Sequence, residues 1–258
     1  MASPRTRFDA QAPGFDRRTG VGGAAPAIAD AVVAAASLGR DATLLEIGPG
    51  TGEIGVHLAA LVARYAGLEL SQPMLDEFAA RPPDRARALL VRADAARSWP
   101  VRPASAQAVF ASRAAHLLDV AHAAAEILRV AAPGAAVLLG RVEREPGGLR
   151  QRLRSRRRAL IAVRGVDPGR GRDRGPELLS ALAGAAPVGP HPVASWTVRT
   201  DAAAVLDAWE RTGTVGGLAL PPDLAAAVNR ELRAWAHAEL PRSAQETETY
   251  VLEGARLP

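Results

Sequence analysis

The stretch Leu44-Leu45-Glu46-Ile47-Gly48-Pro49-Gly50-Thr51-Gly52 decides the fold. An apolar run closed by one carboxylate and then three glycines at alternate positions reads as a strand buried on both faces, a tight turn and the entry to a helix. Glycine lets the backbone come close to a ligand where any Cβ would clash. In an open doubly wound sheet, ligands gather at the carboxyl ends of the strands, and the first such turn comes close to a cofactor. The spacing GxGxG, with Pro49 inside it and Glu46 before it, differs from the GxGxxG pyrophosphate fingerprint, so no phosphate is needed to explain it.

Outward from this turn, apolar runs alternate with helical patterns. Strands are expected at Thr43 to Ile47, Ala66 to Leu70, Ala88 to Arg92, Ala106 to Ala111 and Ala135 to Val142. Helices are expected at Ala25 to Ser37, Gly52 to Arg64, Pro73 to Ala79 and His116 to Ala131. This alternation predicts an α/β chain with a mostly parallel sheet and right-handed crossovers. After Val142 the pattern changes, with an arginine-, glycine- and proline-rich stretch at 146–175 and a short helix at Gly175 to Gly184. Two more strands are expected at Pro192 to Arg199 and Thr247 to Glu253. Some 45 residues separate these two, far more than a hairpin needs. They hold helical patterns at Asp201 to Arg211 and Asp223 to Glu239, where Leu224, Val228 and Leu232 share one face with Trp235 beside it. The expectation is one domain over 1–258, a Rossmann-like seven-stranded sheet with helical lid insertions at 145–175 and 201–242.

At 258 residues, 48% hydrophobic and 23% charged, the chain has the composition of a globular protein able to bury a large core. With no cysteine it can have no disulfide, thiolate metal site or cysteine nucleophile, which fits a reducing, cytoplasmic setting. The first residues lack an apolar core of the secretory kind, and the longest apolar stretch, Ala123 to Leu139, is broken by Glu126, Arg129, Pro133 and Gly134. A membrane is not an expected partner. Net charge is +5 and there is no lysine. Residues 141–174 hold twelve arginines against four acids, +8 locally, so the rest of the chain carries −3. Basicity is therefore a local property.

EIGPGTG resembles the first motif of the class I S-adenosylmethionine-dependent methyltransferases, and segments similar to that family's later motifs follow in order over about residues 8 to 142. The resemblance implies S-adenosyl-L-methionine as cofactor, its amino acid end held by Glu46 and the turn Gly48, Gly50 and Gly52. It implies that Glu69, which ends the second strand, accepts the ribose hydroxyls, with Leu70 and Met74 flanking the adenine. It further implies that Asp94 accepts from the adenine amino group with the Ala95 backbone nearby, and that Ser112 lies at the fourth strand's end. Phe8 to Gly20 resembles the leader that folds over the cofactor in small-molecule members, so Phe15 and Arg18 are expected to close the site, with Arg18 reaching a carboxylate.

A sulfonium methyl is already activated, so alignment and exclusion of water are the enzyme's main tasks. For a hydroxyl acceptor His116 is the candidate base, since it follows the fourth strand and histidine titrates near neutrality. The arginine run 150–158 has two readings. It is either a solvated amphipathic lid helix or an anion-attracting surface. No aromatic residue occurs between Phe110 and Trp196, and the fourth strand is followed by Ser112-Arg113-Ala114-Ala115 instead of the Asn/Asp-Pro-Pro-aromatic clamp of base-modifying enzymes. Both facts oppose nucleic acid as partner. The expected activity is methyl transfer to a small organic acceptor. An RNA or protein methyltransferase docking through 150–158 and a non-methylating S-adenosylmethionine-binding protein are the alternatives. The oligomeric state and the acceptor stay open.

Overall fold

The computed structural model describes residues 9, 12–16, 20–21, 23–81, 88–168, 173–212, 214–215 and 218–258. In chain order the elements are α1 (Ala25–Ala36), β1 (Thr43–Ile47), α2 (Gly55–Leu61), β2 (Arg64–Glu69), α3 (Gln72–Ala79), β3 (Ala88–Arg92) and β4 (Ala106–Ser112). A 3-10 turn at Ala115–Leu117 leads to α4 (Val120–Val130), β5 (Ala131–Arg144), α5 (Leu149–Ala162), α6 (Gly175–Ser180) and β6 (Ala186–Asp201). The chain then forms α7 (Ala202–Thr212), a two-stranded pair of β7 (Thr214–Val215) and β8 (Leu218–Ala219), α8 (Pro222–Glu239) and β9 (Ser243–Arg256). Among the described residues no helix is long and apolar enough to cross a membrane.

Seven strands make one sheet in the order β3-β2-β1-β4-β5-β9-β6. The pairs β2–β3, β1–β2, β1–β4 and β4–β5 are parallel. β9 runs against β5, because Leu257 N donates to Ala135 O (2.9 Å) while Glu145 N donates to Thr247 O (3.1 Å). The sheet is the seven-stranded, mostly parallel one expected from the sequence. β1 and β4 are buried on both faces, which is why they read as unbroken apolar runs.

Several boundaries differ from expectation. α2 ends at Leu61, since Val62 takes extended backbone (φ −120°, ψ 160°), and β2 then starts at Arg64. α4 starts at Val120, where Asp119 caps it by accepting from His122 N (2.9 Å). β5, β6 and β9 are all longer than the apolar runs that signalled them, and the pair β7–β8 has no counterpart in the sequence reading.

The chain divides into two compact units, residues 1–142, 173–194 and 250–258 in one and 143–172 and 195–249 in the other. In the first, Leu45, Ile47, Val109, Val137 and Leu139 pack with Ile127 of α4 and with Trp99. Trp99 is fixed by its surroundings. Its backbone N–H donates to Glu126 Oε2 (2.6 Å), and Arg129 binds both the Trp99 carbonyl (2.9 Å) and Glu126. These contacts hold the Glu126 carboxyl down at about 2, chiefly through Arg129. In the second unit, Leu149, Leu153 and Leu160 of α5 pack with Val205 and Leu206 of α7 and with Val228 and Leu232 of α8.

At β5, the buried Tyr250 ring of β9 occupies the place where Gly140 would carry a side chain, with its Oη 1.7 Å from an ideal Cβ. Gly140→Ala therefore forces the ring out of its hydrogen bond with Ser112 and should lower stability by about 1–3 kcal/mol. A thermal melt unchanged from the parent protein would mean that Tyr250 does not fill this space.

Candidate functional site

Glu46, the fourth residue of β1, is only 1% exposed, and the chain supplies it with a donor. Tyr65 Oη donates to Glu46 Oε2 at 2.6 Å. Tyr65 reaches it because parallel register sets Gly67 beside Glu46, leaving no side chain in the way. Tyr65 also meets Phe78 of α3 edge to face, with ring centroids 5.8 Å apart. Both rings need glycine around them. A Cβ at Gly55 would lie 2.4 Å from Tyr65 Oη, and one at Gly52 would lie 2.2 Å from the Phe78 ring.

The glycines of the turn thus have different tasks. Gly48, Gly50 and Gly52 all have left-handed backbone, with φ of +68°, +59° and +77°. Gly52 clears Phe78, and Gly48 N donates to Leu68 O (2.8 Å), tying the turn to β2. A Cβ at Gly50 would meet nothing within 4 Å, so this glycine faces open space. Its N–H donates to Glu69 Oε2 (3.1 Å), while Ser71 N donates to Glu69 Oε1 (2.9 Å). One carboxylate therefore joins the turns that follow β1 and β2, and burial raises its pKa above the usual range. Ser71 caps α3, where Met74 is 2% exposed and packs into the core; Leu70 is half-buried.

Leader residues fasten to the same turn. Ser71 Oγ donates to Asp9 Oδ1 (2.7 Å), Thr51 Oγ1 donates to Asp16 Oδ1 (2.5 Å), and Arg81 pairs with Asp16 while its Nε donates to Thr51 O (2.6 Å). Val21 N donates to Glu53 Oε1 (2.8 Å), and Glu53 in turn lies 3.8 Å from Arg113. Phe15 is half-buried, and Arg18 lies outside the described residues.

Next along the sheet, Ala93 N donates to Glu69 O (2.9 Å), which sets Asp94 two residues beyond the end of β3. Asp94 Oδ1 accepts from Ala96 N (2.9 Å), with Arg97 Nε 3.7 Å from its carboxylate. Ala95 O accepts from Trp99 Nε1 (3.1 Å), so the locked tryptophan steadies this loop. On the other side of β1, Ser112 ends β4 with its Oγ 2.7 Å from Tyr250 Oη, and Arg113 follows with a left-handed φ of +55°. His116 is exposed on the 3-10 turn.

The structure thus brings Glu46, Gly48, Gly50, Gly52 and Glu69 together, with Asp94 and Ala95 on one side and Ser112 on the other, all at the carboxyl ends of neighbouring strands. Met74 is set back from them in the core. Tyr65, Arg113, Asp16, Arg81 and Tyr250 also belong to this region and were given no role from the sequence. For the two tyrosines the signal that could have found them is their scarcity, since the chain has only two and each lies in a strand. A separate hollow of about 350 Å³ opens at the amino-terminal ends of β1 and β4, between Ser37, Asp41, Arg64, Gln107 and Arg256. Arg256 serves there to cap α1 by donating to Ala35 O (3.0 Å).

Burial lifts the Glu46 carboxyl from an ordinary 4.5 to about 7, with Glu69 adding to the shift and Tyr65 and Arg113 opposing it. The folded chain therefore keeps a proton that the unfolded chain gives up above pH 4.5, and this contribution to stability is lost as pH rises through 7. Glu46→Gln should remove that part of the pH dependence, stabilising the protein at pH 8 by up to about 3 kcal/mol and leaving it nearly unchanged at pH 4. Parallel melting profiles for the two proteins between pH 4 and pH 8 would refute this.

Comparison with known proteins follows the same elements. Residues 45–139, from β1 into β5, match the family model described as a methyltransferase domain. A search of curated proteins returns no match. Among solved structures, the [4+2]-cyclase SpnF is 21% identical, with 98% of this chain and 94% of that chain covered at a TM-score of 0.60. The YcgJ protein from Bacillus subtilis is 17% identical, covering 89% and 98% at 0.56. The geranyl diphosphate C-methyltransferase from Streptomyces coelicolor, solved with geranyl diphosphate and S-adenosyl-L-homocysteine, is 17% identical, covering 100% and 86% at 0.51. At such identities the likeness is one of fold.

Proposed function

We propose, for a chain that is a class I S-adenosylmethionine-dependent methyltransferase by its domain of residues 45–139, that the acceptor is a small organic molecule methylated by in-line displacement. The observation that carries this reading is the row of acidic and glycine-rich strand ends, Glu46 with its turn, then Glu69, then Asp94, on three adjacent strands.

The residues suit S-adenosyl-L-methionine. Gly50 offers backbone with open space in front of it, as a close-fitting ligand requires. Glu69 accepts from the Gly50 and Ser71 backbones, and a carboxylate oxygen can accept more than one hydrogen bond, so ribose hydroxyls can still be taken. Asp94, on a half-exposed loop, would take the adenine amino group beside the Ala95 backbone, with Leu70 at the ring and Met74 supporting it from the core. Glu46 and the Gly48–Gly52 turn would hold the cationic amino acid end. The cofactor supplies an electrophilic methyl on sulfur. The protein's part is to orient the acceptor in line and keep water away. For a hydroxyl acceptor, His116 on the turn after β4 would take the proton, and Arg18 would close over a carboxylate.

A second reading, a cofactor-binding protein that catalyses a different reaction, has one observation in its favour. One solved structure with the same fold, covering 98% of this chain, is described as a [4+2]-cyclase.

Calorimetric titration with S-adenosylhomocysteine, with NAD as control, tests the cofactor assignment. Binding near the micromolar range, about −8 kcal/mol, is expected for the parent protein, weakened about tenfold or more in Glu69→Ala and in Asp94→Ala and absent for NAD. Tight binding with no methylation across a broad panel of small acceptors would favour the second reading. No binding by folded protein would overturn both.

A further inference from the structure

The arginine run of α5 separates into two groups once its contacts are known, and all of them lie within residues 143–172 and 195–249. Arg152 Nη2 reaches Glu239 O (3.4 Å), Arg156 lies 5.6 Å over the Trp235 ring, and the buried Arg157 lies 5.2 Å over Trp209. These three hold α5 to α7 and α8. Arg150, Arg154 and Arg158 are different. They recur at every fourth residue and so form one stripe about 12 Å long with neighbours about 6 Å apart.

This stripe runs along the flank of α5 next to the strands. Arg144 of β5 adds its charge to Arg150 and Arg154, and the acids felt by Arg150 are Glu248 and Glu246 of β9. Burial, then the mutual repulsion of Arg144, Arg150 and Arg158, pushes the Arg154 guanidinium down, although arginine stays charged. Arg144 Nε pairs with Glu248 Oε1 at 2.7 Å. Among the described residues no carboxylate forms an ion pair with Arg150, Arg154 or Arg158. Arg144 thus has a carboxylate partner, whereas the positive charges of Arg150, Arg154 and Arg158 stay unmatched by any ion pair among the described residues.

We propose that Arg150, Arg154 and Arg158, with Arg144 beside them, form a binding site for the phosphate group of a small molecule, a phosphate monoester or a diphosphate. A guanidinium fork matches phosphate oxygens in pairs, and a dianion balances the unmatched charge. Single-stranded nucleic acid fits less well, because Trp235 and Trp209 already carry Arg156 and Arg157 over their rings.

The test is a calorimetric titration of the full chain with inorganic pyrophosphate at low salt. The site predicts saturable binding, weakened about tenfold or more in Arg154→Gln and in Arg150→Gln combined with Arg158→Gln, and within about twofold of parent in Arg40→Gln, an exposed arginine of the other unit. Arg154→Lys, which keeps the charge but loses the fork, should fall between and stands in if Arg154→Gln does not fold. S-adenosylhomocysteine titrated into the same samples reads the methyltransferase assignment separately, so either can fail alone. Absence of saturable pyrophosphate binding, equal binding by Arg154→Gln, or tighter binding of a single-stranded RNA oligomer than of pyrophosphate would overturn the proposal.

Discussion

A carboxyl group that folding takes almost wholly out of water must be given a hydrogen-bond donor or hold its proton to higher pH, and at Glu46 both happen. Much of the first unit's local sequence follows from this. Tyr65 can donate only if Gly67 leaves its position beside Glu46 bare and Gly55 leaves room over the hydroxyl. Phe78, packed on Tyr65, needs Gly52 to lack a side chain. Part of what looks like a ligand-driven glycine motif is thus a packing requirement of two aromatic rings. Gly50 alone of the three faces open space.

The second constraint is the Glu69 carboxylate, which receives the N–H groups of Gly50 and Ser71 and so couples two successive turns. Through Ser71 the coupling extends to the cap of α3 and to Asp9 of the leader. Loops are free to vary in most proteins. Here three segments, the turns after β1 and β2 and the leader, share one hydrogen-bonded seam, which steadies the strand ends before any ligand arrives.

How much of this was legible depends on burial. β1 and β4 lie between two layers, so every residue had to be apolar or paired, and their limits could be read closely. β6 is the opposite case. Its residues are mostly exposed and it carries Pro187, Pro190 and Pro192, so only the Val193, Trp196 and Val198 pattern signals a strand. The glycine turn, Glu69 and Asp94 announce themselves by spacing. Tyr65, Arg113 and Arg81 do not, because their roles depend on register and on contacts 19 to 65 residues away. The arginine run could not be sorted from sequence at all, since stacking on Trp209 and Trp235 is a property of three helices brought together.

Trp99 gives the first unit a built-in optical label. It is the one tryptophan in that unit, whereas Trp196, Trp209 and Trp235 all belong to the second. Buried at 3% exposure and bonded to Ala95, its emission is set by the loop that carries Asp94. The indoles of Trp209 and Trp235, each beneath a guanidinium, sit in a more polar setting. Light from one chain can therefore be divided by wavelength between its two halves, and their melting can be followed separately without attaching any dye.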